Sequence, residues 1–433
     1  MIPVEKAATP DSFDETSMRY AGWRVVLGCF LMALFLFGFG LYGHGVYLAE
    51  LRRLNGWPAA MISGASTLSL VLCNIFATFT NELVTWLGAR RLILLGIVAL
   101  AASMSLLAFA TNPWQLYVVF ALMSLGWIGM GTIVIATVTS LWFASRRGLA
   151  ISLAFTGASA GGIVVTPLLL LLVERIGFSA AMLTATAIMV VVLVPAVVAW
   201  VGPPSTRDLP EGGAEESSLT PIPSARDRLS RTQLMRRLAF WTVSIPFALA
   251  LVAQIGFIVH QIALLEPRIG HAGAGFAVSL MSFAALAGRL SLGLVIDRFN
   301  PRRVTAAALV GQAAALLIIM QTDTIPAVLT ACAVFGLSVG NLITLPPLII
   351  NREFDAVDFA VVMGLSNAIS GTIGALGPGL VGLVLGWSGS YDVALVLCIA
   401  LELVAAAMVV QWRSASQGGR AALSLRTNGR RKP

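Results

Sequence analysis

The chain has 433 residues, of which 58% are apolar and 11% charged, and its formal net charge is +8. So little charge cannot cover the surface of a soluble domain of this length, which excludes a water-soluble globular protein. Apolar runs of about 20 residues, each enough to cross roughly 30 Å of hydrocarbon, recur throughout and predict an all-α membrane protein.

Twelve spans are predicted in chain order, at roughly 23–49, 59–84, 92–111, 114–141, 148–173, 179–201, 239–265, 275–296, 304–322, 325–350, 359–386 and 391–412. The residues before the first span are polar and include Glu5, Asp11, Asp14 and Glu15. The apolar run that follows is too long for a signal-peptide core and is expected to stay in the membrane as the first span. Between spans six and seven lies a segment rich in Pro, Ser, Gly and charge, with Pro203, Pro204, Pro210, Pro221 and Pro223. That composition predicts a flexible linker, with a surface helix near 228–238. The chain thus divides into a tail (1–22), a six-helix bundle (23–201), a linker (202–238), a second six-helix bundle (239–412) and a tail (413–433).

Orientation follows from the bias of Lys and Arg toward cytoplasmic loops. One side carries only Arg52, Arg53, Arg175 and Arg268; apart from Arg289, which falls within a span, the rest of the 28 Lys and Arg lie on the side of the termini. This predicts cytoplasmic termini in an inner membrane of bacterial type. It also accounts for the positive charge without a nucleic-acid partner. Cys29, Cys73, Cys332 and Cys398 all lie inside apolar runs and read as packing residues, not as disulfide partners or metal ligands.

The two halves repeat. Leu83 to Arg91 is similar to Leu294 to Arg303, Gly126 matches Gly336, and Gly157, Gly161 and Pro167 match Gly371, Gly374 and Pro378. Three matches in order at a near-constant offset indicate a parallel duplication of six spans.

Gly293, Asp297, Arg298, Arg302 and Arg303 form a pattern that resembles the loop motif between the second and third helices of a major facilitator half. The first-half copy has Thr85 and Trp86 where Asp and Arg stand in that motif. A finer resemblance, to the monocarboxylate and oxalate/formate porter branch, rests on Trp142, Arg146, Arg147, Gly148 and Ala150, then Gly157, Gly161 and Gly162, and on Gly288, Arg289 and Gly293 in span eight. The resemblance implies two six-helix bundles around a central cavity, and an arginine at position 289 for a substrate carboxylate. Ala285 stands where many animal members of the branch carry Asp, and Tyr42 stands near their first-span lysine, so their proton-coupling scheme does not carry over residue by residue.

An ionisable group inside a span is costly and marks function by default. The candidates are Arg289, Glu402, His260 and His44. Arg289, near the middle of span eight, offers a planar fork of donors suited to a carboxylate, with a fixed ion pair to a protein acid such as Glu402 as the alternative. Tyr42, Gln254, Asn341 and Asn367 are candidate polar contacts to substrate, or interhelical hydrogen-bond partners. His44 and His260 occupy equivalent spans, beyond the midpoint of each, and are candidates for proton coupling or an outer gate, or for neutral hydrogen bonding between helices. Asp297, Arg298, Arg302, Arg146 and Arg147 are candidates for a cytoplasmic gate, since the resemblance implies that such loops brace the two halves.

The expected activity is secondary transport of a small organic anion, coupled to protons, by a monomer in the bilayer without a cofactor. Anion exchange and export of amphipathic compounds are the alternatives, with a non-transporting receptor on the same scaffold as a further one. No Walker-type phosphate loop and no zinc-ligand spacing occur in the sequence, so an ATP-driven pump or a metalloenzyme is not expected.

Overall fold

The structure is a computed structural model that describes Glu15, Ser17 and residues 20–143, 145–202, 231–355 and 357–428. Most of the linker predicted at 202–238 lies outside the described residues; its end carries a short helix, Arg231–Met235. Among the described residues all regular structure is helical. The membrane helices of the first half are α1 Gly22–Asn55, α2 Ala59–Ala77, α3 Ala89–Leu107, α4 Pro113–Trp142, α5 Arg147–Ile176 and α6 Phe178–Trp200. The seventh apolar helix is a single run, Leu238–Leu292, far longer than a bilayer needs. Gly270 divides it, at φ 77° and ψ 167°, a backbone conformation open to glycine and not to residues with a Cβ. The two arms are α7 (238–269) and α8 (271–295). The second half continues with α9 Pro301–Gln321, α10 Ile325–Glu353, α11 Phe359–Ser388 and α12 Tyr391–Asn428.

Two boundaries differ from the sequence expectation. The second span, predicted as one run over 59–84, bends at Thr78 and Phe79 before a separate helix, Thr80–Leu87. The twelfth helix continues past 412 to Asn428, beyond the end of the apolar run.

The duplication is visible in the packing. A Cβ on Gly161 would sit 2.5 Å from the Leu34 carbonyl oxygen and 2.7 Å from the Gly38 nitrogen; on Gly377 it would sit 2.2 Å from the Val252 carbonyl oxygen and 2.9 Å from the Gly256 nitrogen. Thus α5 crosses α1 as α11 crosses α7, through glycines 216 positions apart, so the counterpart of Gly161 is Gly377 and not the Gly374 matched in sequence, which packs on Leu251. The matched pair Gly126 and Gly336 is not equivalent in space: Gly126 packs on Leu100 of α3, and Gly336 on Met281 of α8.

Prolines organise the contacts between helices. A helical proline has no N–H to give to the carbonyl four residues earlier, which leaves that oxygen free. Pro167 frees Ile163, whose oxygen accepts the Ser279 hydroxyl of α8 at 3.0 Å. Pro246 frees Thr242, whose oxygen accepts Arg302 Nη1 at 3.3 Å.

The face that carries the chain termini is here the terminal face, and the other the distal face. Contacts between the bundles gather in the distal half. The Gly45 Cβ position lies 3.3 Å from the Val259 carbonyl oxygen, the Gly379 N–H donates to Thr67 Oγ1 at 2.8 Å, and Gly275 packs on Leu170. Deeper contacts join Gly162 to Ser282 and Asn74 to Gly371. Among the described residues, no hydrogen bond or ion pair joins Arg146 or Arg147 to the turn at 298–303 on the terminal face. The contacts between the bundles named above thus lie in the distal half and at mid-depth.

Candidate functional site

At mid-depth, two π-helical turns face each other across the first bundle: Gly38–Tyr42 in α1 and Gly161–Val165 in α5. Such turns insert one residue into a helix and are often used to re-aim side chains at functional sites. The first ends on Tyr42, which is aimed at α8. There Tyr42 and Ser282 share the space beside Gly162, where a Cβ would fall 2.1 Å from Ser282 Oγ and 3.1 Å from the Tyr42 ring.

Arg289 lies two helical turns farther along α8, half-buried and within electrostatic reach of Tyr42. Its stem packs over Gly340 of α10, at 3.3 Å from the Cβ position there. Next to Gly340 is Asn341. Among the described residues, Arg289 Nε and Asn341 Oδ1 are buried without a hydrogen-bond partner, and so is Trp127 Nε1 of α4, which abuts Gly40 of the α1 π-turn, whereas Ser282 lies against the Tyr42 hydroxyl. A buried polar atom left unpaired costs about 1–3 kcal/mol, so the unpaired Arg289 Nε and Asn341 Oδ1 on adjoining helices make this a candidate site for a polar ligand. Ser282 and Trp127 are additions to the residues that the sequence singles out; the glycines opposite them, Gly162 and Gly40, are the available signal.

The other candidates lie elsewhere. Gln254 accepts a hydrogen bond from Gln312 Nε2 at 3.2 Å inside the second bundle. Asn367 is an exposed residue of α11. His44 contacts Met123 Sδ through Nε2 at 3.3 Å, between the rings of Tyr47 and Phe120. His260 Nε2 meets the Pro378 carbonyl oxygen at 3.1 Å and Nδ1 meets the Tyr391 hydroxyl at 3.3 Å. Each histidine is buried within its own bundle. Glu402 is fully buried, and among the described residues neither of its oxygens has a partner, so the structure does not pair it with Arg289.

The sequence profile of the Major Facilitator Superfamily matches residues 30–265 and 262–428. The chain belongs to the Major Facilitator Superfamily. This facilitator is a transporter and not an enzyme. It is 27% identical over 400 residues to Monocarboxylate transporter 13 of Rattus norvegicus, covering 90% of this chain and 88% of that one. It is 23% identical over 351 residues to MFS-type transporter hasB of Aspergillus fumigatus, covering 78% and 76%. Its fold matches the nucleoside transporter NupG with a TM-score of 0.68 at 14% identity, covering 91% of this chain and 98% of that chain. It also matches a bacterial homologue of the human lysosomal transporter Spinster, with a TM-score of 0.66 at 14% identity, covering 89% and 95%.

On the terminal face of this facilitator, Arg302 is buried and fully engaged within the second bundle. Nε and Nη2 clasp Glu353 at 2.5 and 2.7 Å, and Nη1 reaches the Thr242 and Val409 carbonyl oxygens at 3.3 and 3.1 Å. It therefore joins the ends of α7, α9, α10 and α12. Arg146 and Arg147 are exposed; the Arg146 N–H donates to Glu15 Oε2 at 2.8 Å, and Arg147 Nη2 reaches the Ser140 carbonyl oxygen at 3.4 Å. Arg298 is exposed, and the side chain of Asp297 lies outside the described residues.

Proposed function

We propose that this facilitator is a secondary transporter that binds a small organic anion, a monocarboxylate, on Arg289 between the bundles and moves it by alternating access. The observation that carries this reading is Arg289 itself. It is a cation inside α8, two helical turns from the mid-depth Ser282, and among the described residues no carboxylate lies within ion-pairing distance of it. A charge within a span is costly, and a substrate carboxylate would both offset that cost and accept the planar donor fork. Asn341, Ser282 and Tyr42 supply neutral contacts around it. The likeness to Monocarboxylate transporter 13 supports the same substrate class. The Lys and Arg bias supports a cytoplasmic terminal face, which makes the distal face the outer one; an inner membrane of bacterial type and protons as the coupling ion belong to the same proposal.

Two measurements test this. Thermal stability of the purified protein should rise with a monocarboxylate and not with uncharged analogues, since a ligand of the native state raises its stability. Arg289→Lys keeps the charge but loses the fork; it should abolish both that shift and uptake while the protein still reaches the membrane. Uptake with unchanged kinetics in Arg289→Lys removes Arg289 from the site and favours export of amphipathic compounds.

A further inference from the structure

At the distal mouth, five residues apart across the Pro267 and Gly270 turn, Glu266 and His271 face the end of α5. His271 Nδ1 lies 2.9 Å from Glu266 Oε1, and Nε2 lies 3.3 Å from the Leu170 carbonyl oxygen. Both partners are acceptors. A neutral imidazole has one N–H and can satisfy only one of them; the imidazolium donates to both. His260 differs, because the Tyr391 hydroxyl can donate to Nδ1 while Nε2–H donates to Pro378, so its neutral form suffices. The second bond of His271 also crosses between the bundles: Glu266 and His271 belong to the second, Leu170 to the first.

The surrounding charges favour the same form. From α1, Glu50 acts on His271, and Arg53, which holds Glu50 at 2.6 Å, is within reach of Glu266. Glu50 and Glu266 against Arg53 leave one negative charge, which a protonated His271 balances. From α5, Glu174 and Arg175 are exposed at the helix end, and Arg268 of the turn is engaged with Asp323 and Asp392 at 3.5 and 3.8 Å. The side chains of His271 and Glu266 are 22% and 30% exposed, so water reaches the pair.

We propose that His271 and Glu266 form a proton-binding latch: protonation of His271 from the outside closes the outer mouth by joining α8 to the Leu170 carbonyl of α5. This rests on the assignment of the distal face to the outside, and not on the identity of the substrate. Because the closed state holds the protonated ring, closure is favoured at low pH and is lost as pH rises through the histidine range.

The test is the distance between spin labels at Ile176→Cys and Ile325→Cys, exposed at the distal ends of the two bundles, in a Cys73→Ser background in lipid nanodiscs without substrate. Spectra are taken from about pH 5 to about pH 9, either side of the ordinary histidine value of about 6.5. The short-distance population should dominate at low pH and fall as pH rises. His271→Gln should flatten this curve. Glu266→Gln removes the carboxylate that favours the charged ring, and should lower the midpoint by about one pH unit or more. Arg289→Ala, which tests the carboxylate reading, should keep the original curve. A pH-independent distance in the unmutated protein, or an unchanged curve in His271→Gln, overturns the latch. Should His271→Gln not fold, an unshifted midpoint in Glu266→Gln overturns it instead.

Discussion

Glu402 and the three histidines show how much a residue's meaning depends on its partners. Sequence marks Glu402, His44 and His260 as ionisable groups within spans, which hydropathy cannot separate, and His271 lies between spans. In the structure His260 has a complementary donor and acceptor, His44 has a thioether and two rings, and His271 has two acceptors. Only the last geometry calls for a charge. The sequence signal for it is the short Glu266 to His271 spacing over a Pro and Gly turn, which a search limited to spans passes over. Glu402 has no partner for either oxygen. Replacing such a group by an apolar residue of similar length removes a penalty of about 1–3 kcal/mol. Glu402→Met is therefore expected to raise the melting temperature and leave uptake intact. Loss of uptake with an unchanged melting temperature would instead place Glu402 in the transport cycle.

At the scale of helices, the spans and the duplication are legible because the bilayer requires each span to be predominantly apolar. What the sequence does not reveal is which glycine touches which helix. The contact between α8 and α10 rests on three: a Cβ on Gly288, Gly336 or Gly340 would fall 2.1, 2.2 or 2.1 Å from the carbonyl oxygens of Leu337, Met281 and Ala285. These are backbone atoms and cannot turn aside, so an added methyl must push the helices apart and move Arg289 with α8. Gly336→Ala should lower both the melting temperature and carboxylate uptake. Gly364→Ala in α11 is the control, since nothing lies within 4 Å of its Cβ position. There, relief of the glycine penalty of about 0.5–1 kcal/mol in a helix should leave the protein as stable or slightly more so. Equal losses in the two variants would show that α8–α10 contact is not what limits the fold. Arg302 makes the same point about legibility. Its motif is evident in sequence, but its clasp on Glu353 and on the carbonyl that Pro246 frees depends on where four helix ends meet.

At the scale of the whole molecule, transport by alternating access requires the distal seam to part. Along α2 and α11 that seam is built from small residues: Ser63 against Gly382, Thr67 against Gly379 and Ala60 against Gly386. The Thr67 bond forms because α11 turns at Ala375 and Leu376 and restarts at Gly377, which leaves the Gly379 N–H in a first helical turn without an intrahelical acceptor. None of these contacts is ionic or large, which suits an interface that opens and closes. The seam also offers a lock. The Ala60 Cβ lies 3.6 Å from the Cβ position of Gly386, within the roughly 3.5–4.5 Å that a disulfide spans. Ala60→Cys combined with Gly386→Cys should cross-link under mild oxidation and hold the distal face shut. Oxidised protein in proteoliposomes should then lose uptake and regain it on reduction, while either single variant transports throughout. Full uptake by protein shown to be cross-linked would mean that α2 and α11 stay together during the cycle and that the bundles part elsewhere.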